Sequence, residues 1–184
     1  EIMGLLDDLL DKGDVVVDVG ANVGIISAHA SGLVGPTGRV IAVEPSPLCL
    51  SDLHAVTDRL GNVTVVEAAL GDETGTVDLT GWDNPGHRGL GSAVPGHHAG
   101  LAENWFEGET RKVPQLRLDC LLAEQLGDEA SIGLLKVDVE GYEPVVLRGA
   151  PGLFRDLRVR SAILEVTTTL PVDWVGDLLR EVEQ

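Results

Sequence analysis

Val15-Val16-Val17-Asp18-Val19-Gly20-Ala21-Asn22-Val23-Gly24 is the stretch on which the fold turns. The apolar run predicts a buried strand, and the acidic, glycine-rich turn after it opens into a helix with Asn22 placed as its N-cap. Gly20 and Gly24 let the backbone turn sharply and approach a ligand closely. Asp18 stands near the carboxyl end of the strand, the edge at which open α/β sheets bind ligands. A carboxylate there suits a hydroxylated or cationic ligand and would repel a pyrophosphate.

Outward from this stretch, strands alternate with helices, the pattern of a mostly parallel sheet. An acidic amphipathic helix is expected within residues 1–12, and a first core helix over 23–32. A second strand, 39–43, ends at Glu44, and a second helix falls within 45–60 with Ser46 as cap and Pro47 at its first position. A third strand is expected over 63–68 and a short antiparallel one over 76–80. Residues 81–112 have no regular period and are expected to form a long irregular loop. A strand at 113–118, a helix at 121–126 capped by Asp119, and strands at 132–137 and 161–166 follow, with helices at 144–149 and 172–182. No internal repeat or linker breaks the chain, so residues 1–184 read as a single domain.

Of the 184 residues, 43% are hydrophobic but only 3% aromatic, so Val, Leu, Ile and Ala must fill the core. The net charge of −17 argues against nucleic acid and against anionic membrane surfaces, because both are gripped through Lys and Arg. A high-salt source or an acidic surface kept for solubility would each account for it. No apolar run is long enough to span a bilayer. Two cysteines, Cys49 and Cys120, without a CxxC, read as reduced thiols in a cytoplasmic protein.

Glu44 is a second candidate binding residue, since a carboxylate at the end of the second strand can accept hydrogen bonds from both ribose hydroxyls of an adenosine. Pro45 follows it, and Ala68 and Leu70 could border an adenine ring. The dinucleotide pattern GxGxxG is broken, because Asn22 stands where its middle glycine belongs. Residues 135–150 read Leu-Lys-Val-Asp-Val-Glu-Gly-Tyr-Glu-Pro-Val-Val-Leu-Arg-Gly-Ala. They deliver Asp138, Glu140 and Glu143 to one strand end, a costly arrangement without cationic, metal or hydrogen-bonding partners.

The turn Asp18-x-Gly20-Ala21-Asn22-x-Gly24 resembles the first motif of class I methyltransferases that use S-adenosylmethionine. The later run closely resembles the Lys-x-Asp-x-Glu-Gly-x-Glu segment of the FkbM family of methyltransferases, and with the segments 16–24, 40–45 and 68–71 in order the resemblance covers roughly residues 14–170. It implies a class I, Rossmann-like α/β fold: a seven-stranded, doubly wound, mostly parallel sheet flanked by helices. The chain is expected to depart from this in lacking, or being truncated before, the final β-hairpin, which would leave an edge through which a homo-oligomer could form. It implies S-adenosylmethionine as cofactor, S-adenosylhomocysteine as product, and O-methylation of a hydroxyl on a secondary metabolite, sugar or glycolipid.

On this reading Asp18, Gly20, Ala21, Asn22, Gly24, Glu44, Pro45, Ala68, Leu70 and Asp138 bind the cofactor. Asp138, then Glu140 and Glu143, and His87 are the candidates near the reacting centre, with Lys136 expected to pair with Glu140 or Glu143. His97 and His98 share the loop with His87, and Trp82 and Trp105 flank it, placed to stack on a substrate or to pack the loop. His29 and His54 lie on helices and are assigned structural roles. Asp138 and Glu165 end neighbouring strands where Mg²⁺ could bind, but no ligand spacing requires a metal and none is expected. A nucleotide-dependent oxidoreductase and a non-catalytic cofactor-binding domain are the competing readings.

Overall fold

The computed structural model of the chain describes residues 2–80, 93, 110–127, 131–156, 158–165, 176 and 180. The elements in chain order are α1 (Ile2–Leu9), β1 (Val15–Val19), α2 (Ile25–Val34), β2 (Arg39–Val43), α3 (Pro47–Thr57), β3 (Val63–Val66) and β4 (Ala69–Gly71). They continue with β5 (Gly75–Leu79), β6 (Arg111–Arg117), α4 (Leu118–Leu126), β7 (Ile132–Val137), α5 (Glu143–Arg148) and β8 (Val159–Leu164).

Five strands form a parallel sheet in the order β3-β2-β1-β7-β8. The order reverses between β1 and β7, which opens a crevice at their carboxyl ends. The alternation of side chains along a strand sorts the core into two layers. Val17 and Val19 of β1, Ile41 and Val43 of β2, and Leu135 and Val137 of β7 point to one face and pack against Leu118, Leu121 and Leu122 of α4 and Val146 and Leu147 of α5. Val16, Val40 and Leu134 point to the other, against Leu6 of α1 and Ala30 and Val34 of α2. α3 covers that same side through Leu53, which packs with Ala42. As the composition requires, aliphatic residues fill this core.

β4, β6 and β5 form a smaller mixed sheet, β5 antiparallel to β6 and β4 parallel to it. The third strand of the main sheet therefore ends at Val66 and not at residue 68. A bond from the Ala68 N–H to the Val66 carbonyl (3.0 Å) turns the chain out of the main sheet. α5 presses close to β4, since a Cβ at Gly149 would collide with the Gly71 carbonyl.

Other boundaries shift for local reasons. α2 begins at Ile25 with Gly24 as its N-cap, because Asn22 adopts a left-handed φ of 52° and is spent in the turn. α3 starts as expected behind Ser46 and Pro47, but stops at Thr57. Asp119 lies inside the first turn of α4 and does not cap it; its carboxylate instead clasps the Arg117 guanidinium and accepts the Cys120 N–H. β6 takes over from the expected loop at Arg111. β8 runs two residues earlier than expected, so Glu165 follows the strand directly. The rest of the loop, with Trp82, His87, His97, His98 and Trp105, and most of the last expected helix lie outside the described residues.

Candidate functional site: a cavity at the sheet switch point

A cavity of about 510 Å³ opens where the strand order reverses, within the size range of small-molecule sites. Its walls come from the β1 turn (Gly20, Ala21, Asn22), the tip of β2 (Glu44, Pro45, Ser46), the crossing into the small sheet (Ala68, Ala69, Leu70) and the tips of β7 and β8 (Asp138, Val139, Glu140, Tyr142, Glu165). Ile2, Met3, Ile25 and Ile26 add an apolar rim from α1 and α2.

The β1 turn is built by Gly20, whose φ is +76°. A Cβ there would collide with the Asp138 backbone carbonyl, so the glycine brings two strand tips together rather than only making room for a ligand. Gly24, with φ +85°, packs against Leu53 of α3 and stands outside the cavity wall. Asp18 is also outside it, fully buried. Its Oδ2 accepts a hydrogen bond from Ser27 Oγ at 2.6 Å. Its Oδ1 lies 3.1 Å from the Lys136 ammonium as an ion pair without a well-directed hydrogen bond.

Glu44 is 6% exposed and faces the cavity. Its oxygens accept the backbone N–H groups of Asn22 (2.9 Å) and Ser46 (2.8 Å). Burial raises its pKa, and these bonds and Lys136 only partly offset the rise. Each carboxylate oxygen accepts more than one hydrogen bond, so capacity remains for a vicinal pair of hydroxyls.

At the opposite wall the β7–β8 register pairs Val137 with Leu164, which sets Asp138 beside Glu165. Burial, with the charges of Asp138, Glu140 and Glu143 adding repulsion, pushes the Glu165 pKa up to about 8. Glu140 has a left-handed φ of 54°; burial, with Asp138 and Glu143 adding repulsion, raises its pKa to about 7. Oxygens of Asp138, Glu140 and Glu165 lie within 4.8 Å of one another, a spacing that a hard cation could bridge.

Glu143 has another task. It is 1% exposed, and its Oε1 accepts the Val139 (2.9 Å) and Gly141 (3.3 Å) N–H groups, which organises the turn between β7 and α5. Lys136 pairs with Asp18 and Asp138 (3.4 Å) rather than with the expected Glu140 or Glu143. His29 binds Asp7, and His54 sits between Asp58 and Glu67, away from the cavity.

Of the expected cofactor residues, Gly20, Ala21, Asn22, Glu44, Pro45, Ala68, Leu70 and Asp138 therefore share one wall or another of the cavity, while Asp18 and Gly24 support it from behind. Glu165, expected from the sequence only as a strand-end carboxylate beside Asp138, is a wall residue, and sequence reasoning missed Tyr142. For Tyr142, one residue before α5, the sequence carries no signal.

Residues 18–183 match the model of the methyltransferase FkbM domain. The chain belongs to the FkbM methyltransferase family. It is 32% identical over 176 residues to "Methyltransferase sdnD" of Sordaria araneosa, covering 85% of this chain and 67% of that protein. It is also 32% identical over 178 residues to the "31-O-demethyl-FK506 methyltransferase FkbM" of Streptomyces tacrolimicus, covering 85% and 66%. The chain thus spans about two thirds of the length of these relatives. Among solved structures, Aeropyrum pernix fibrillarin in complex with S-adenosyl-L-methionine shares the fold, with a TM-score of 0.54 at 16% identity, covering 99% of this chain and 62% of that one.

The cofactor of an FkbM methyltransferase domain is S-adenosylmethionine, and the cavity fits it: a buried carboxylate with spare acceptor capacity for a ribose, small and apolar residues beside it, and an acidic wall for a cationic amino group. Family membership removes the oxidoreductase reading. No described helix is long and apolar enough to cross a membrane.

Proposed function

We propose that this FkbM domain methylates a hydroxyl group of a small molecule, such as a secondary metabolite, a sugar or a glycolipid. The observation that carries the reading is the group of carboxyls, Asp138, Glu140 and Glu165, opening into the same cavity as the β1 turn and Glu44. Methyl transfer to an alcohol releases a proton, and a carboxyl whose pKa lies near neutrality can take it. The "31-O-demethyl" in one relative's name speaks for oxygen as the acceptor atom in that protein. The net charge of −17 favours a small acceptor over nucleic acid.

When bound, the cofactor supplies an already activated sulfonium methyl. The protein's part is alignment, which can contribute about 7–11 kcal/mol, and proton removal. Glu44 would hold the ribose, with Pro45, Ala68 and Leu70 around the base. Gly20, Ala21 and Asn22 would line the amino-acid end and Asp138 would accept from its ammonium, with Asp18 and Gly24 supporting the turn. Glu140 would receive the proton of the acceptor hydroxyl, with Asp138 beside it. His87 remains a second candidate for that proton.

The test is release of S-adenosylhomocysteine with a panel of hydroxyl, amine and carbon acceptors. Transfer to hydroxyls is expected, with Glu140→Gln lowering kcat by about 10²–10⁴-fold while cofactor binding persists. Turnover confined to amine or carbon acceptors would overturn the reading.

A further inference from the structure

We propose that Lys136 is a positioning residue for methyl transfer: its ammonium ties the Gly20 turn and the Asp138 carboxylate into one unit, fixing the place where the amino-acid end of the cofactor is held. The inference rests on the assignment of that end of the cavity made above.

Lys136 is the fifth residue of β7, in register with Asp18 of β1. Its side chain is 4% exposed. An ammonium has three N–H donors and no acceptor. Here it faces the Gly20 carbonyl at 2.9 Å, Asp18 Oδ1 at 3.1 Å and Asp138 Oδ2 at 3.4 Å. These oxygens come from the body of β1, from the turn after it and from the tip of β7, so one charge joins both strands that flank the switch point.

Neutralising Asp18 alone would need no contact with the other two. Gly20 and Asp138 both line the cavity, whereas Asp18 does not. The Gly20 α-carbon already lies against the Asp138 carbonyl, and Lys136 adds a polar tie across the same junction. Burial by itself pulls the Lys136 pKa down, but Asp18 and Asp138 outweigh it and the net direction is up, so the tie stays charged at neutral pH. Glu44 is held by other donors, the Asn22 and Ser46 N–H groups, so the adenosine end does not depend on Lys136 for its hydrogen bonds.

The consequence is selective. Titration calorimetry with S-adenosylhomocysteine and with methylthioadenosine, which keeps the adenosine but lacks the amino-acid tail, separates the two ends. In Lys136→Gln the affinity for S-adenosylhomocysteine is expected to fall about tenfold or more while that for methylthioadenosine stays within about threefold. Asp138→Asn, at a half-exposed side chain, is expected to fold and to give the same selective loss. Equal weakening of both ligands in Lys136→Gln, including through failure to melt cooperatively, makes Lys136 a residue of the fold only and overturns the proposal. So does unchanged S-adenosylhomocysteine binding in either variant. A wild-type domain that binds methylthioadenosine and S-adenosylhomocysteine with equal affinity instead removes the assignment of the amino-acid end.

Discussion

At the residue scale the cavity is organised by carboxylates with different partners. Glu44 spends its charge on two backbone N–H groups and keeps the β1 turn and the start of α3 in register with the end of β2. Its place at the tip of β2 was legible in the sequence, because a strand end followed by Ser46-Pro47 fixes where the helix begins. Its burial was not, since that depends on which residues close over it. Glu44→Ala is expected to weaken S-adenosylhomocysteine and methylthioadenosine alike, by about 10–100-fold for the lost hydrogen bonds to a charged group. Normal binding in that variant would place the ribose elsewhere. The contrast with Lys136, whose loss should spare the shorter ligand, makes the two residues a matched pair of tests.

At the scale of elements, the β7–β8 pairing decides the acidity of the site. Parallel register sets Asp138 beside Glu165, and the tight turn at Glu140 and Gly141 folds a further carboxyl against them. Glu140 at about 7 and Glu165 at about 8 both lie above the ordinary value of 4.5. The folded domain therefore holds more protons than the unfolded chain between about pH 5 and pH 8, and stability falls as pH rises through that window. The melting temperature of the cofactor-free domain in a chelator is expected to decline from about pH 5 to about pH 8, with Glu165→Gln flattening the slope. A melting temperature that climbs over the range would show that the folded domain holds no excess of protons there, and would overturn the raised pKa values of these groups. The sequence announced Asp138 and Glu140 by their crowding in one short segment. Glu165 is 25 or more residues away from both, and only strand pairing unites them.

At the scale of the whole molecule, the charge of −17 is spread over a fold whose surface ion pairs, such as Lys112–Asp78 and Arg155–Asp156, are exposed and individually weak. Like-charge repulsion acts at longer range than these pairs and is screened as the Debye length shrinks to about 3 Å at 1 M salt. Raising KCl from about 0.05 M to about 1 M is expected to raise the melting temperature, with the greater gain at pH 8 than at pH 5, where part of the carboxylate charge is titrated. A melting temperature that falls with KCl would mean that attractive pairs outweigh the net charge. The salt response is a property of the whole surface, so it should survive Glu165→Gln, which sets it apart from the local effect at the strand tips.

The sequence by itself determined the alternation of strands and helices, the buried character of β1, β2 and β7, and the two acidic turns, because these follow from hydrophobic period and from glycine and proline placed along a few consecutive residues. Only the tertiary structure decided that Asp18 withdraws behind the cavity wall, that Lys136 turns to it and to Asp138, that Gly24 serves the packing of α3, and that Glu140 folds against the Asp138 and Glu165 tips. Each of these depends on strand order and register, which bring together residues far apart in the chain. Local sequence carries no term for that distance; the packing of whole strands against one another does.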